Sequence, residues 1–140
     1  MLTATQFQRS AAAILTPLLA ILLAFTSITI AGENGTIVRR VKFARGKTST
    51  VLRGTIKKNQ EVVFVLNANA GQMLTASVDA STPNNDVVFS ISGPNGSLMD
   101  AGMEITTTWR GQLPANGEYR ITMGVIESKS SRYAMKISVE

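Results

Sequence analysis

Any chemistry in this 140-residue sequence has to come from oxygen atoms and cations, because it contains no His and no Cys. That excludes disulfide frameworks, Cys-containing zinc sites, thiol nucleophiles and every His-based triad. What remains is nine carboxylates, fourteen Lys and Arg side chains, and hydroxyls. A Ser–Lys nucleophile pair is sometimes announced by Ser three residues before Lys, and none of the six lysines has one there. No Gly-rich phosphate loop of the P-loop or dinucleotide type occurs. A glycosidase needs two carboxylates at a defined separation across a cleft, and here the acids are scattered through stretches that read as strands and turns. The residues point to a protein that binds rather than one that catalyses.

The cations are unevenly placed. Residues 32–60 carry Arg39, Arg40, Lys42, Arg45, Lys47, Arg53, Lys57 and Lys58 against Glu33 alone, whereas residues 61–140 carry five basic and eight acidic residues. A basic segment of this density attracts anionic envelope polymers or lipid headgroups by long-range steering. Arg39, Arg40, Lys42, Lys57 and Lys58 are its candidate surface. The same residues also suit a solvated edge strand and its turn, where charge resists edge-to-edge pairing. Nucleic acid is not an expected partner, since Phe43 is the segment's one aromatic and makes no stacking platform. A second candidate is the oxygen-rich loop of residues 79–86, Asp-Ala-Ser-Thr-Pro-Asn-Asn-Asp. Asp79, Asn84 and Asp86 offer the hard oxygen donors that calcium prefers, but without EF-hand spacing. Asn-Asn-Asp is equally ordinary turn composition. No cofactor is expected.

These residues must be positioned by strands. Apolar residues alternate with polar ones at Val87, Phe89 and Ile91, at Tyr119, Ile121, Met123 and Val125, at Tyr133, Met135, Ile137 and Val139, at Leu74, Ala76 and Val78, and at Ile105, Thr107 and Trp109. Period two marks half-buried strands. Residues 62–66, Val-Val-Phe-Val-Leu, are apolar on both sides and predict a central, well-covered strand; residues 37–43 and 50–56 are two further candidates. Gly93-Pro94-Asn95-Gly96 predicts a reverse turn, and Gly71 and Gly117 supply residues that tolerate positive φ. About eight short strands separated by Gly, Pro and Asn turns, with no sustained helical period, predict an all-β fold: one antiparallel β-sandwich over residues 32–140.

Residues 11–31 contain no charge and follow a single Arg9. Polar start, apolar stretch and small-residue exit describe a secretory signal peptide, with Thr29 and Ala31 before a cut at Gly32. An uncleaved anchor is the alternative, because about 20 apolar residues also span a bilayer; that is the one membrane contact expected. Either way the expected location is periplasmic or secreted.

The stretch from residue 109 to 121 is the most specific. It reads as a strand ending at Trp109, a bend through Gly111, Leu113, Pro114 and Gly117, and a new strand from Tyr119. Trp and Tyr at such a corner pack at the sandwich end and need partners for their polar tips. This Trp-x-Gly-x-Leu-Pro-x-x-Gly-x-Tyr-x-Ile pattern resembles the bacterial pre-peptidase C-terminal domain. So do residues 65–72 with the Leu74-x-Ala76-x-Val78 strand, residues 87–96 and residues 133–139. In layout the chain is similar to the periplasmic inhibitors of goose-type lysozyme, which share a strand like residues 41–49 leading into residues 52–56. The resemblance covers residues 38–139 and implies a secreted β-sandwich without catalytic residues. It also implies a lysozyme partner whose cleft is plugged by the loop after the Tyr119 strand, residues 127–132, with Lys129, Arg132 and Ser130 as contact residues. The other expectation it carries is a standalone binding module for an anionic envelope polymer, which rests on the basic segment instead.

Overall fold

The computed structural model describes residues 35–140, and the apolar leader, Glu33 and the cut at Gly32 lie outside the described residues. Nine strands follow in chain order: β1 (Thr36–Arg40), β2 (Ser49–Lys57), β3 (Glu61–Ala68), β4 (Met73–Ala80), β5 (Val87–Gly93), β6 (Gly96–Ser97), β7 (Thr108–Gln112), β8 (Gly117–Val125) and β9 (Ser130–Val139). They form a five-stranded sheet ordered β1-β3-β8-β5-β6 and a four-stranded sheet ordered β2-β9-β4-β7. The expected sandwich is therefore present.

Its core comes from the alternating positions. Phe64, Phe89, Tyr119, Ile121, Met123, Met135 and Ile137 are fully buried, each contributing about 1.5–3 kcal/mol by leaving water. The doubly apolar segment 62–66 is β3, flanked by β1 and β8 and buried on both faces. Across the core the rings of Phe64 and Tyr133 meet edge to face with centroids 6.1 Å apart, the arrangement that aromatic quadrupoles favour.

Four local expectations need correction. The β1–β3 pairing is parallel, Thr36 beside Glu61 through Arg40 beside Val65, within an otherwise antiparallel fold. Side-chain alternation carries no information about strand direction, so periodicity could not reveal this. β1 also ends at Arg40 rather than at residue 43: the Val41 amide still donates to the Val65 carbonyl (2.8 Å), after which the chain turns back at Gly46 (φ 77°). Ile105 is 52% exposed and belongs to no strand. There the chain changes sheets, Thr106 pairing with Phe89 of the five-stranded sheet and the Thr107 carbonyl accepting from Val78 of the other. A segment that crosses between sheets cannot keep one inward face. Finally, Trp109 does not end its strand, which runs on through Gln112.

The corner itself is as its residue types imply. The Tyr119 hydroxyl donates to the Ala115 carbonyl at 2.5 Å and accepts from the Ala115 amide at 3.2 Å. Its ring lies where a Cβ on Gly93 would come within 2.5 Å, and the Trp109 ring lies over Gly111 in the same way, at 2.6 Å. Leu113 is buried, Pro114 is exposed, and a Cβ on Gly117 would strike the Pro94 ring at 2.7 Å. These residues lock one end of the sandwich.

Candidate functional site

The opposite end is built from three connections. The first is the β2–β3 turn, in which the Gln60 amide donates to the Lys57 carbonyl (3.1 Å) and the Lys57 amide to Gln60 Oε1 (3.1 Å). Asn59 takes φ 67°, a conformation that Asn tolerates better than most residues. The turn leaves Lys57 and Lys58 exposed.

The second connection, residues 81–86 between β4 and β5, is the oxygen-rich loop. The Asn85 side chain accepts from the Ala80 amide (2.8 Å) and donates to the Val78 carbonyl (3.3 Å). Asp86 is 8% exposed. One of its carboxylate oxygens accepts from the Thr82 hydroxyl (2.6 Å), and the other from the amides of Ser128 (2.7 Å) and Glu127 (3.4 Å). The third connection, residues 126–129 between β8 and β9, is thus fastened to the second through Asp86. Bonds from the Ser128 hydroxyl, the Thr82 hydroxyl and the Ser128 amide, in that order, hold the Asp86 carboxyl well below the usual carboxylate range, against the opposing effect of burial.

That arrangement gives Asp86 a different occupation from the calcium ligation considered above. Both its oxygens serve the loops, Asn84 is exposed, and Asp79 sits out on β4 opposite Ala134. Among the described residues no three acidic side chains converge on a point that would hold a metal.

The contact residues expected in the 127–132 loop are divided by the fold. Ser130 and Arg132 are already in β9, paired with Lys57 and Thr55 of β2, and only Lys129 lies in the connection. The Lys129 carbonyl accepts from the Lys58 amide at 2.8 Å. The β2–β3 turn and the β8–β9 connection therefore lie side by side, and Lys57, Lys58, Lys129 and Arg132 gather at one tip. Between residues 84–86 and 126–127 a cleft of about 230 Å³ opens, lined by Asn84, Asn85, Asp86, Ile126 and Glu127. Ile126 is 49% exposed at its rim.

The basic segment is likewise split. Arg39 is structural: its guanidinium donates to the Tyr133 hydroxyl (3.1 Å) and the Arg53 carbonyl (3.2 Å), and stacks over Phe64 at 5.7 Å. It ties the edge of one sheet to the edge of the other. Arg40 pairs with Glu118 at 3.6 Å. Lys42 follows β1 at the end where β2 begins, and the length of β2, about 26 Å at ~3.3 Å per residue, separates that end from Lys57 and Lys58. The five residues do not form one surface. Asp86 as a clasp was missed in the sequence, although the Thr82-x-x-x-Asp86 spacing was its one trace. The meeting of Lys58 with Lys129 had no local trace at all.

No protein-family model matches the sequence, and no curated protein matches it. Solved structures do. Aeromonas hydrophila PliG, a periplasmic inhibitor of g-type lysozyme, superimposes with a TM-score of 0.65 at 21% identity, over 76% of this chain and 99% of that one. A mutant of the Escherichia coli PliG gives 0.55 at 20% identity, over 76% and 99%. The pre-peptidase C-terminal domain of a Bacillus anthracis collagenase gives 0.50 at 12% identity, over 76% and 96%. The fold is shared with both. The likeness expected from the 109–121 pattern thus extends to the architecture of all the described strands.

Proposed function

We propose that this chain is an exported, non-enzymatic protein that binds and inhibits a goose-type lysozyme by inserting the tip formed by residues 57–60 and 126–132 into the enzyme's cleft. The observation that carries the reading is the gathering of Lys57, Lys58, Lys129 and Arg132 on one tip, in a fold shared with inhibitors of that enzyme class. Enzymes that cleave glycosidic bonds work with carboxylates in a cleft. Lys and Arg remain charged at neutral pH, so a basic tip occupies such a cleft by pairing with those carboxylates. The Asp86 clasp and the Lys58–Lys129 bond order the tip beforehand, which lowers the entropy lost on binding. Ile126 adds exposed apolar area beside it.

The test is a cell-wall lysis assay with the purified protein against goose-type and chicken-type lysozymes separately. Dose-dependent inhibition confined to the goose type is expected, and the K58E/K129E double variant should weaken it at least about tenfold, as expected for losing desolvated charge pairs. No inhibition of either enzyme at large molar excess sinks the proposal.

A further inference from the structure

A second cationic feature begins at the tip, with Lys57 and Arg132, and runs away from it along the outer face of the four-stranded sheet. β2 and β9 pair with Val51 beside Lys136, Arg53 beside Ala134, Thr55 beside Arg132 and Lys57 beside Ser130. All four cations are exposed, while Ile56, Ser131, Tyr133 and Met135 between them point inward and are buried. The register therefore sets Lys136, Arg53, Arg132 and Lys57 as a zigzag, one cation per row and on alternate strands. Each step advances about 6.7 Å along the strands and 4.8 Å across them, so the row extends about 20 Å. Facing each cation across the seam is an uncharged residue, which avoids the repulsion of like charges set directly opposite.

Among the described residues no ion pair neutralises this row. The ion pairs among the described residues are Arg40–Glu118 and Arg120–Glu118, both on the other sheet. The nearest acid by register, Asp79 opposite Ala134, forms no ion pair. The row is flanked by hydroxyls, Thr55 and Ser130 within the seam and Ser77 on β4 beside Lys136. Among the described residues no aromatic stands on this face: Trp109 of β7 packs toward the core.

We propose that the β2–β9 seam is a binding rail for a linear anionic polysaccharide, whose acid groups pair with Lys136, Arg53, Arg132 and Lys57 while the flanking hydroxyls bond to sugar hydroxyls. A row one charge wide fits a single extended polyanion. Single-stranded nucleic acid calls for stacking side chains, and the described residues supply none on this face; a bilayer surface rewards inserted large apolar or aromatic residues, and here the described residues offer only Val51 in the seam and half-buried Met73 on β4. The proposal goes beyond the lysozyme reading and does not depend on it, because Arg53 and Lys136 lie remote from Lys58 and Lys129.

The experiment measures binding of the purified protein to polygalacturonate, with neutral dextran, single- and double-stranded DNA and phosphatidylglycerol vesicles in parallel. Expected are binding to polygalacturonate but not dextran, and a log–log salt slope of about −3, the value for some four released counterions. R53Q/K136Q should bind polygalacturonate at least tenfold more weakly, and K42Q/R45Q, with the same loss of charge, within twofold of the parent. Both variants should keep the parent Tm, and R53Q/K136Q should keep its effect on lysozyme. Equal losses in the two variants, no binding to polygalacturonate, or tighter binding to DNA or vesicles would each overturn the rail.

Discussion

The two ends of the sandwich are held by different balances of packing and hydrogen bonding. At one, residues 69–72, 93–96 and 113–117 converge on fully buried Tyr119, whose ring fills the space above Gly93 and whose hydroxyl is satisfied by Ala115. At the other, residues 57–60, 81–86 and 126–129 are joined by hydrogen bonds: Asp86 accepts from the amides of Ile126, Glu127 and Ser128, and the Lys129 carbonyl accepts from the Lys58 amide. Packing at the first end uses up the side chains that do the holding. At the second end the holding is done by backbone amides and one carboxylate, so Lys58, Lys129 and Ile126 are left facing solvent. A rigid scaffold that frees side chains on its loops is where binding residues are usually found.

The largest effect should come from breaking the packed end. Tyr119→Ala empties the centre of the corner and should cost about 3–5 kcal/mol, typical of deleting a buried aromatic. For a domain of this size that lowers Tm by well over 10 °C. Tyr119→Phe removes only the bonds to Ala115 and should cost about 1–2 kcal/mol. Thermal melts distinguish the two contributions. A Tyr119→Phe variant that melts like the parent would mean that the ring alone holds the corner.

Breaking the polar end should give a pH-dependent loss instead. The Asp86 carboxyl is more acidic in the folded chain than its unfolded value of about 3.9. Its contribution is therefore complete above about pH 5 and disappears as the pH falls below 4 toward the depressed folded value. Asp86→Asn should melt below the parent at pH 7, and the gap should narrow between pH 5 and pH 2. A constant gap over that range would show that the Asp86 charge is not what fastens the loops. At pH 7 the same variant should also inhibit lysozyme less well, because a loosened tip loses more entropy on binding.

The packed end was largely legible in the sequence, and the tip was not. Trp109, Gly111, Gly117 and Tyr119 announced themselves by residue type at close spacing, and the strands by period two, because both signals are local; Gly93 was legible only as part of a turn, its contact with Tyr119 joining distant parts of the chain. The tip depends on which strands pair. Lys58 meets Lys129, and Arg53 falls one row from Arg132, only because β2 lies against β9, some eighty residues away. No local pattern encodes that pairing. The same gap explains why Ser130 and Arg132 read as loop residues in the sequence. Their alternation begins at the strand's edge, where the buried partner is a serine, Ser131. It also explains Asp86, whose Asn-Asn-Asp context reads equally well as a turn, a cation site or a clasp until Ser128 is brought beside it.

The finest test of packed against presented side chains lies in two adjacent arginines. Arg39 and Arg40 look equivalent in the basic segment, yet the pleat sends them to different environments. Arg39 faces the core edge, where it bonds to the Tyr133 hydroxyl and stacks on Phe64; a Cβ on Gly54 would come within 2.7 Å of that same hydroxyl. Arg39→Ala leaves the Tyr133 hydroxyl without that donor and should cost about 1–2 kcal/mol. Arg40 meets Glu118 in solvent at 3.6 Å, with its side chain 55% exposed. Arg40→Ala should cost under about 0.5 kcal/mol. Urea denaturation of the two variants measures both, and raising the salt concentration should shrink the small Arg40 effect while leaving most of the Arg39 effect in place, because solvent-exposed pairs are screened and half-buried contacts much less so. Equal costs would mean that both arginines are surface residues and that the sandwich edge closes without a side-chain clasp.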